Sequence, residues 1–448
     1  MRRKPLRGNE WFPWILVYAL VVSAPVFIML IGPRPEGRPF LRDVSVAMAF
    51  CAMSIIGLQF VLTARIPSLK RPFGSDVVYY FHHRISVVAV GLVLLHILVL
   101  AFNDGATWKL LAFWSAPTRA RFAVASLLCL VALILISVFR KSLRIEYITW
   151  RITHGFLAIG AAAFAMTHMQ LVGIYLGLPW KRILWAVYSA LWIGALAYAR
   201  IVRPLLMKLR PYEVRSVEPE RGNAWTVRLA PIGHASARFA PGQFAWITVA
   251  RSPFADLEHP FSYSSSASDP DAPAFTIKAI GDFTAQIGEL AVGTRVYVDG
   301  PFGAFSMDRR PAASQFVFIA GGIGITPIMS MLRTMRDRED RRPVRLIYAA
   351  RTLEEMTFRE ELEELHQQLQ HQLRLHLVPT VAADAAWSGS SGRIGPEMLA
   401  ELLPHDCRGG DCEIYICGPP PMMDALEDAL VDMGVPLRRI HTERFNLA

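Results

Sequence analysis

The segment Asp76–Phe102, DVVYYFHHRISVVAVGLVLLHILVLAF, restricts the fold more than any other part of the chain. It is long and apolar enough to cross a bilayer, yet it carries His82, His83 and His96. An imidazole in hydrocarbon is costly, so it marks a functional site unless it merely satisfies a neighbouring carbonyl. His82 and His96 lie fourteen residues apart. On an α-helix that spacing is a rise of about 21 Å and a net rotation of roughly −40°, so both rings share one face at different depths. A second apolar stretch repeats the pattern with His154 and His168, also fourteen apart. Two such helices can clamp two stacked haems, because bis-imidazole iron suits electron transfer. His83 is rotated by about −140° from His96 on an ideal helix, and only a π-bulge would bring it onto the ligand face. Arg84 is placed either to anchor the helix at the interface or to meet a haem propionate.

Hydrophobic residues make up 53% of the 448 and charged ones 19%. That average joins a strongly apolar half, up to about residue 205, to an ordinary soluble half. Six spans of near-membrane length follow: Trp11–Ile31, Asp43–Thr63, Val77–Phe102, Phe122–Phe139, Ile148–Leu171 and Ile183–Val202. The run MRRKPLR before the first span lacks a convincing cleavage site, so it reads as the lead into a membrane helix rather than a signal peptide. The net charge of +10 suggests membrane orientation rather than nucleic-acid binding, since many basic residues flank spans. Arg2, Arg3, Lys4 and Arg7, then Arg65, Lys70 and Arg71, then Arg140, Lys141 and Arg144, and finally Arg200, Arg203, Lys208 and Arg210 lie on one side. The opposite loops hold fewer, namely Arg34, Arg38 and Arg42, then Lys109, Arg119 and Arg121, then Lys181 and Arg182. The bias predicts cytoplasmic N- and C-termini, with His82 and His154 at the inner level and His96 and His168 at the outer level. The five cysteines imply no disulfide framework.

After Pro211 the pattern changes. Short alternating segments at Trp225–Leu229, Gln243–Ala250, Phe275–Ala279 and Arg295–Asp299 predict a small antiparallel barrel. From Gln315 onward strands alternate with helices: Phe316–Ala320, Val344–Ala349, Leu373–Pro379, and Glu413–Cys417 leading into a helix from Met422. That order predicts a doubly wound parallel sheet. Ala382–Gly392 reads as a small-residue loop.

Four segments carry chemistry. HPFSYSS, from His259 to Ser265, offers an aromatic, hydroxyls and an imidazole, as a flavin ring requires; its plainer reading is a barrel strand with a serine-rich turn. Asp299–Gly303 is a tight turn that permits close ligand approach or merely joins two domains. In GGIGITP, from Gly321, a strand ends in glycines before a helix near Pro327 or Ile328, a place where backbone can approach a pyrophosphate. CGPPPMM, from Cys417, repeats a glycine turn after a strand. Cys417 could sit beside a nicotinamide or fill a core position.

Taken in order, HPFSYSS, IKAIGDFT, GPFG, GGIGITP, YAAR, CGPPPMM and HTERF resemble the ferredoxin–NADP reductase superfamily, and the two His pairs resemble the ferric-reductase transmembrane domain. The combination is similar to ferric reductases and NADPH oxidases, particularly single-chain bacterial members. The resemblance implies a six-helix transmembrane bundle (residues 1–210), an antiparallel β-barrel FAD domain (211–310) and an α/β NAD(P)-binding domain (311–448). It implies two b-type haems, on His82 with His154 and on His96 with His168. It assigns Phe261 and Ser262 to the flavin ring, puts His259 where the soluble reductases often hold an arginine, assigns Lys278, Gly281 and Thr284 to the flavin phosphate, and counts Pro260 and Ile277 among the cofactor-binding residues. Gly321, Gly322, Gly324 and Thr326 match the pyrophosphate loop of the nicotinamide dinucleotide, Cys417 and Gly418 its nicotinamide end, and Phe445 the aromatic covering the flavin. Ser262, Cys417 and Phe445 would stand nearest the chemistry. Arg351 lies where a 2′-phosphate would be read, which leans toward NADPH over NADH. Two departures stand out. No EF-hand loop is present, and Leu100 follows His96 by one turn where a polar oxygen site would want another histidine.

The expected function is a transmembrane NAD(P)H oxidoreductase passing electrons through FAD and two haems to an external acceptor, either O2 or a ferric chelate. The alternative is an electron-donor module for a periplasmic redox protein. Lipid is an expected partner and nucleic acid is not.

Overall fold

The computed structural model describes residues 12–31, 39–66, 75–249, 251–255, 258–369, 372–381, 387–404, 407 and 412–445. Trp11, Arg2, Arg3, Lys4, Arg7, Arg34, Arg38, Lys70, Arg71 and Ala250, with residues 382–386 of the small-residue loop, lie outside them. The chain packs as two compact units, one of 9–70 with 78–203 and the other chiefly of 204–448.

The first unit holds α1 (Phe12–Leu30), α2 (Phe40–Thr63), α3 (Ser75–Asn103), α4 (Thr118–Val138), α5 (Tyr147–Val172) and α6 (Pro179–Ala197). All six belong to helices long and apolar enough to cross a membrane. Large apolar side chains on their outer faces stay exposed, such as Val87 and Phe156. That is the arrangement expected where lipid, not protein, is the neighbour. Local sequence sets the ends. Gly173 adopts φ +64° after α5, its N–H bonding Met169 O at 3.1 Å, a conformation that favours glycine. Pro179 opens α6 at its first turn, where a missing N–H costs nothing. Beyond α6 a π-helical turn (Tyr198–Val202) leads into α7 (Arg203–Leu209). A core of Phe50, Met53, Trp185, Tyr188 and Trp192 ties α2 to α6. Gly57 makes this fit possible, because a Cβ there would stand 1.9 Å from the Trp192 ring.

The second unit begins with β1 (Tyr212–Glu220), β2 (Ala224–Pro231), β3 (Phe244–Val249), β4 (His259–Ser262), β5 (Ala274–Lys278) and β6 (Arg295–Phe302), with a four-residue helix α8 (Asp282–Ala285) between β5 and β6. They form one antiparallel sheet in the order β4-β3-β6-β1-β2-β5. A bridge between Tyr263 and Phe275 links the two edge strands, so the sheet curls toward closure around Val214, Leu229, Ile247, Phe275 and Ile277. There follow β7 (Gln315–Gly321), α9 (Ile325–Asp337), β8 (Val344–Ala350), α10 (Arg359–Gln368), β9 (Leu373–Pro379), α11 (Pro396–Leu402), β10 (Cys412–Cys417), α12 (Pro420–Asp432) and β11 (Ile440–Glu443). The parallel sheet runs β11-β10-β7-β8-β9. One core lies on its α9 and α10 face, and a second packs under α11 and α12.

The expectation of no disulfide framework needs one correction. Cys407 and Cys412 are joined, with Cα atoms 5.0 Å apart and a sequence separation of five, Cys412 being the first residue of β10. Their local proximity makes this a single clip rather than a framework.

Candidate functional site

In the membrane unit, the rings of His82 on α3 and His154 on α5 face each other with centroids 6.4 Å apart. Two metal–nitrogen bonds of about 2 Å each plus two ring radii account for a gap of about 6 Å. His96 and His168 lie on the same two helices, α3 and α5. His83 is exposed on the opposite face, so no π-bulge brings it into the pair. Arg84 places its guanidinium over the Tyr80 ring, 5.2 Å from its centroid.

What holds the four imidazoles decides what they can bind. His82 Nδ1 is 2.7 Å from Gln59 Oε1. Gln59 donates through Nε2 to Ile55 O at 2.9 Å, which fixes its Oε1 as the acceptor and His82 Nδ1 as the donor. His154 Nδ1 is 3.1 Å from Ser137 Oγ. That hydroxyl spends its own proton on Leu133 O at 2.7 Å, so Nδ1 must donate here as well. His96 Nδ1 donates to Ser45 O at 2.9 Å, and His168 Nδ1 to Arg119 O at 2.7 Å. All four rings are therefore Nδ1–H tautomers whose Nε2 lone pairs are available to a metal, the state that outer partners impose on metal-binding histidines. Among the described residues no group of three or more His, Cys, Asp or Glu could hold a metal ion, and the four imidazoles stand as two pairs on α3 and α5.

The sequence did not single out these acceptors, although it contained a signal. Ser45 and Gln59 sit fourteen residues apart on α2, the same interval as their histidines on α3. Arg119 and Ser137 are eighteen apart on α4, about five full turns, and so also share a face.

In the second unit β4 is an edge strand of the barrel, and the predicted flavin-ring residues lie on it. His259 stacks on Phe283 at 3.9 Å, and Phe261 lies 6.3 Å from the same ring. Pro260 pairs with Trp246 across the strands. Ser262 is buried, yet its hydroxyl has no hydrogen-bond partner. An orphaned buried hydroxyl is a costly feature unless a ligand satisfies it, which fits the polar edge of a flavin. The residues predicted from IKAIGDFT divide. Ile277 is buried in the barrel core, and Lys278 lies 3.8 Å from Glu355. Thr284 accepts the N–H groups of Ile280 and Gly281, so it shapes the turn at Gly281. A cavity of about 560 Å³ opens beside this turn, lined by Asn223, Trp225, Gly281, Asp282 and Glu289 among others.

The order in which the chain adds strands reverses between β7 and β10, and open α/β sheets bind ligands at the carboxyl ends of strands at such a point. The GGIG loop ends β7 and Cys417–Gly418 ends β10. The glycines serve different purposes. A Cβ on Gly324 would stand 2.3 Å from Cys417 O, and one on Gly321 would press on Met422 and Pro419 at 2.7–2.8 Å. Gly418 likewise meets Gly321 at 3.0 Å, so these three let the two loops pack together. Gly322, at φ +54° with nothing near its Cβ position, is the glycine that faces open space. Thr326 is buried, its hydroxyl donating to Ile323 O at 2.8 Å. Arg351 is exposed just past the end of β8, the strand beside β7. Phe445 is 40% exposed, two residues past β11. Cys417 is fully buried in the core, and burial, with Glu443 nearby, pushes its thiol up. It stays protonated at neutral pH, so it cannot act as a thiolate.

The family described as "Ferric reductase like transmembrane component" matches residues 48–165, and the family described as "Oxidoreductase NAD-binding domain" matches residues 318–428. The chain is 33% identical over 239 residues to "Propane 2-monooxygenase, reductase component" of Mycolicibacterium smegmatis, covering 52% of this chain and 66% of that one. It is 32% identical over 155 residues to "NADH-cytochrome b5 reductase 1" of Candida albicans, covering 34% and 51%. The chain thus spans under two thirds of the length of each of these relatives. Among solved structures, the FAD/NAD-binding domain of nitric oxide dioxygenase from Vibrio cholerae matches at 24% identity and a TM-score of 0.46, covering 52% of this chain and 98% of that domain. One chain therefore carries a segment like the ferric reductase transmembrane component followed by one like an oxidoreductase NAD-binding domain.

Proposed function

We propose that the protein moves electrons from cytosolic NAD(P)H through FAD and two b-type haems to an acceptor across the bacterial inner membrane, with both termini cytoplasmic. The observation that carries this reading is the shared tautomer of four intramembrane histidines, each with Nδ1–H engaged and Nε2 left for iron. His82 and His154 would hold the inner haem and His96 and His168 the outer one. When bound, the flavin links two-electron nicotinamide chemistry to the single-electron chemistry of the haem irons.

The chain's own groups position and protect. Gln59 and Ser137 hold protons at His82 and His154 Nδ1, while the carbonyls of Ser45 and Arg119 do so for His96 and His168. The Ser262 hydroxyl and Phe261 orient the flavin ring, and the stacked His259 and Phe283 wall it. The backbone at Gly322 and Gly418 receives the dinucleotide at the switch point of the sheet. Phe445 would cover the flavin ring when FAD is held, and Arg351 would favour the 2′-phosphate of NADPH. The external acceptor is O2, giving superoxide, or a ferric chelate, with O2 the first choice. Steady-state turnover of the purified protein tests this: NADH or NADPH should drive superoxide release or ferric-chelate reduction. A protein that consumes neither nucleotide would overturn the reading.

One observation favours a second acceptor. The Mycolicibacterium smegmatis relative is by name the reductase component of a monooxygenase, a supplier of electrons to another protein. A periplasmic redox protein as acceptor would give slow turnover with O2 and iron alone, restored by that partner.

A further inference from the structure

Helix α9 leaves the GGIG loop at Ile325 and reaches the segment just beyond Ser262, so one element touches both half-sites. Three of its residues at helical spacing make that second contact. Ser330 donates to Ser265 O at 2.7 Å, Thr334 accepts from Ala267 N at 2.9 Å, and Arg333 donates through Nη1 to Ser264 O at 2.7 Å. Ser330 and Thr334 are fully buried and Arg333 is 8% exposed. The other edge of the Arg333 guanidinium forks onto Glu361 of α10, Nε to Oε1 at 2.8 Å and Nη2 to Oε2. The Phe358 ring lies 4.9 Å beneath it. From the opposite side, Thr276 and Ala274 of β5 bond the hydroxyls of Ser264 and Ser265, so the flavin-side segment is held from two directions.

We infer that Arg333 is a positioning residue that fixes the distance between the nicotinamide loop and the flavin strand. This rests on the NAD(P)H–FAD reading above. Arg333 lies eleven residues beyond Gly322, about 16 Å along a helix, and its bonds are to the backbone and carboxylate of the segments it joins. Its planar fork joins three segments, α9, α10 and the turn after β4, in one geometry. Lysine keeps the charge but cannot span one carbonyl and both carboxylate oxygens at once. Because a displacement of about 1 Å at the reacting atoms costs up to about a hundredfold, losing the fork slows flavin reduction without loosening either ligand.

The test is anaerobic stopped-flow reduction of the flavin in the purified full-length protein by NADH and NADPH. Arg333→Lys should lower the saturating rate ten- to a hundredfold, with half-saturating nucleotide and FAD content within about twofold of the parent. Replacing both partners by apolar residues, Arg333→Met with Glu361→Leu, avoids an unpaired buried charge and keeps the fold, and it should show the same rate loss. A parent-like rate in either variant overturns the positioning role. So does a loss of FAD and thermal stability in parallel with rate, which would mark a merely structural residue. If the parent flavin is not reduced at all, the NAD(P)H reading falls and this role falls with it.

Discussion

Gln59→Leu tests the membrane site at its most exposed dependence. Gln59 Oε1 is the acceptor that keeps His82 as the Nδ1–H tautomer, at 2.7 Å, and its own Nε2 is pinned to Ile55 O. Leucine fills similar space and accepts nothing. The orphaned N–H then costs about 1–3 kcal/mol, or the ring turns to recover a partner and misdirects Nε2. Loss of such an outer partner weakens metal sites by about 10–100-fold, which corresponds to about 1.4–2.8 kcal/mol and so agrees with the cost of the orphan.

The chain supplies its own control. His96 and His168 rest on the carbonyls of Ser45 and Arg119, which no side-chain substitution deletes. Gln59→Leu should therefore weaken one haem and spare the other. Ser45→Ala, which removes a hydroxyl 2.8 Å from His96 Nδ1 but keeps the carbonyl, should change little. Titration of haem into the apoprotein, followed by the Soret band and by pyridine haemochrome content, resolves the two sites. Two haems bound with parent affinity in Gln59→Leu, or equal weakening of both, would refute the tautomer argument.

Other perturbations probe the remaining parts. His96→Ala should remove the outer haem and acceptor reduction while flavin reduction by NAD(P)H continues; undiminished acceptor reduction would sink that ligand assignment. Phe445→Ala should raise nicotinamide affinity and speed access to the flavin, read by nucleotide titration, and no change in either would count against a covering role. Cys417 should resist alkylation at pH 8 in the folded protein and react once unfolded, as peptide mass mapping would show. Its raised thiol also makes stability fall as pH climbs above the ordinary value of 9.0, because the unfolded chain releases that proton first. Gly324→Ala should destabilise by about 1–3 kcal/mol through the clash with Cys417 O, measured as a loss of Tm. Gly322→Ala meets nothing and should cost only about 1–2 kcal/mol for its left-handed backbone, so a greater loss than in Gly324→Ala would reverse that ranking.

The membrane helices were legible because hydrocarbon imposes a long apolar run that loops interrupt, and the six spans fall within a few residues of the helices observed. The inner strands of the parallel sheet were legible for a related reason, being apolar runs buried on both faces. Two strands were not. β1 carries a bulge between Val214 and Ser216 that breaks its alternation, and β11 is four residues and too short for a period to register; β4, equally short, was legible only as the plainer reading of HPFSYSS. Pro327 suggested a later start for α9, yet proline is tolerated in a first turn and the helix begins at Ile325.

The site divides along another line. The candidate ligand histidines were legible because a histidine in a membrane span is costly and therefore conspicuous, whereas the groups that orient them were not. A glutamine in an apolar helix has an ordinary structural explanation, and a backbone carbonyl carries no sequence signature at all. Arg333 shows the same effect in the soluble unit. By composition it is one more basic residue on an amphipathic helix, and only the fold brings Ser264 and Glu361 to its two edges. The glycines of GGIG are ambiguous in another way, since a glycine required by a ligand and one required by a neighbouring loop leave the same letter. A residue type reveals a role when its chemistry is expensive where it stands. When its cost is met by partners distant in sequence, the partners must be seen before the role can be.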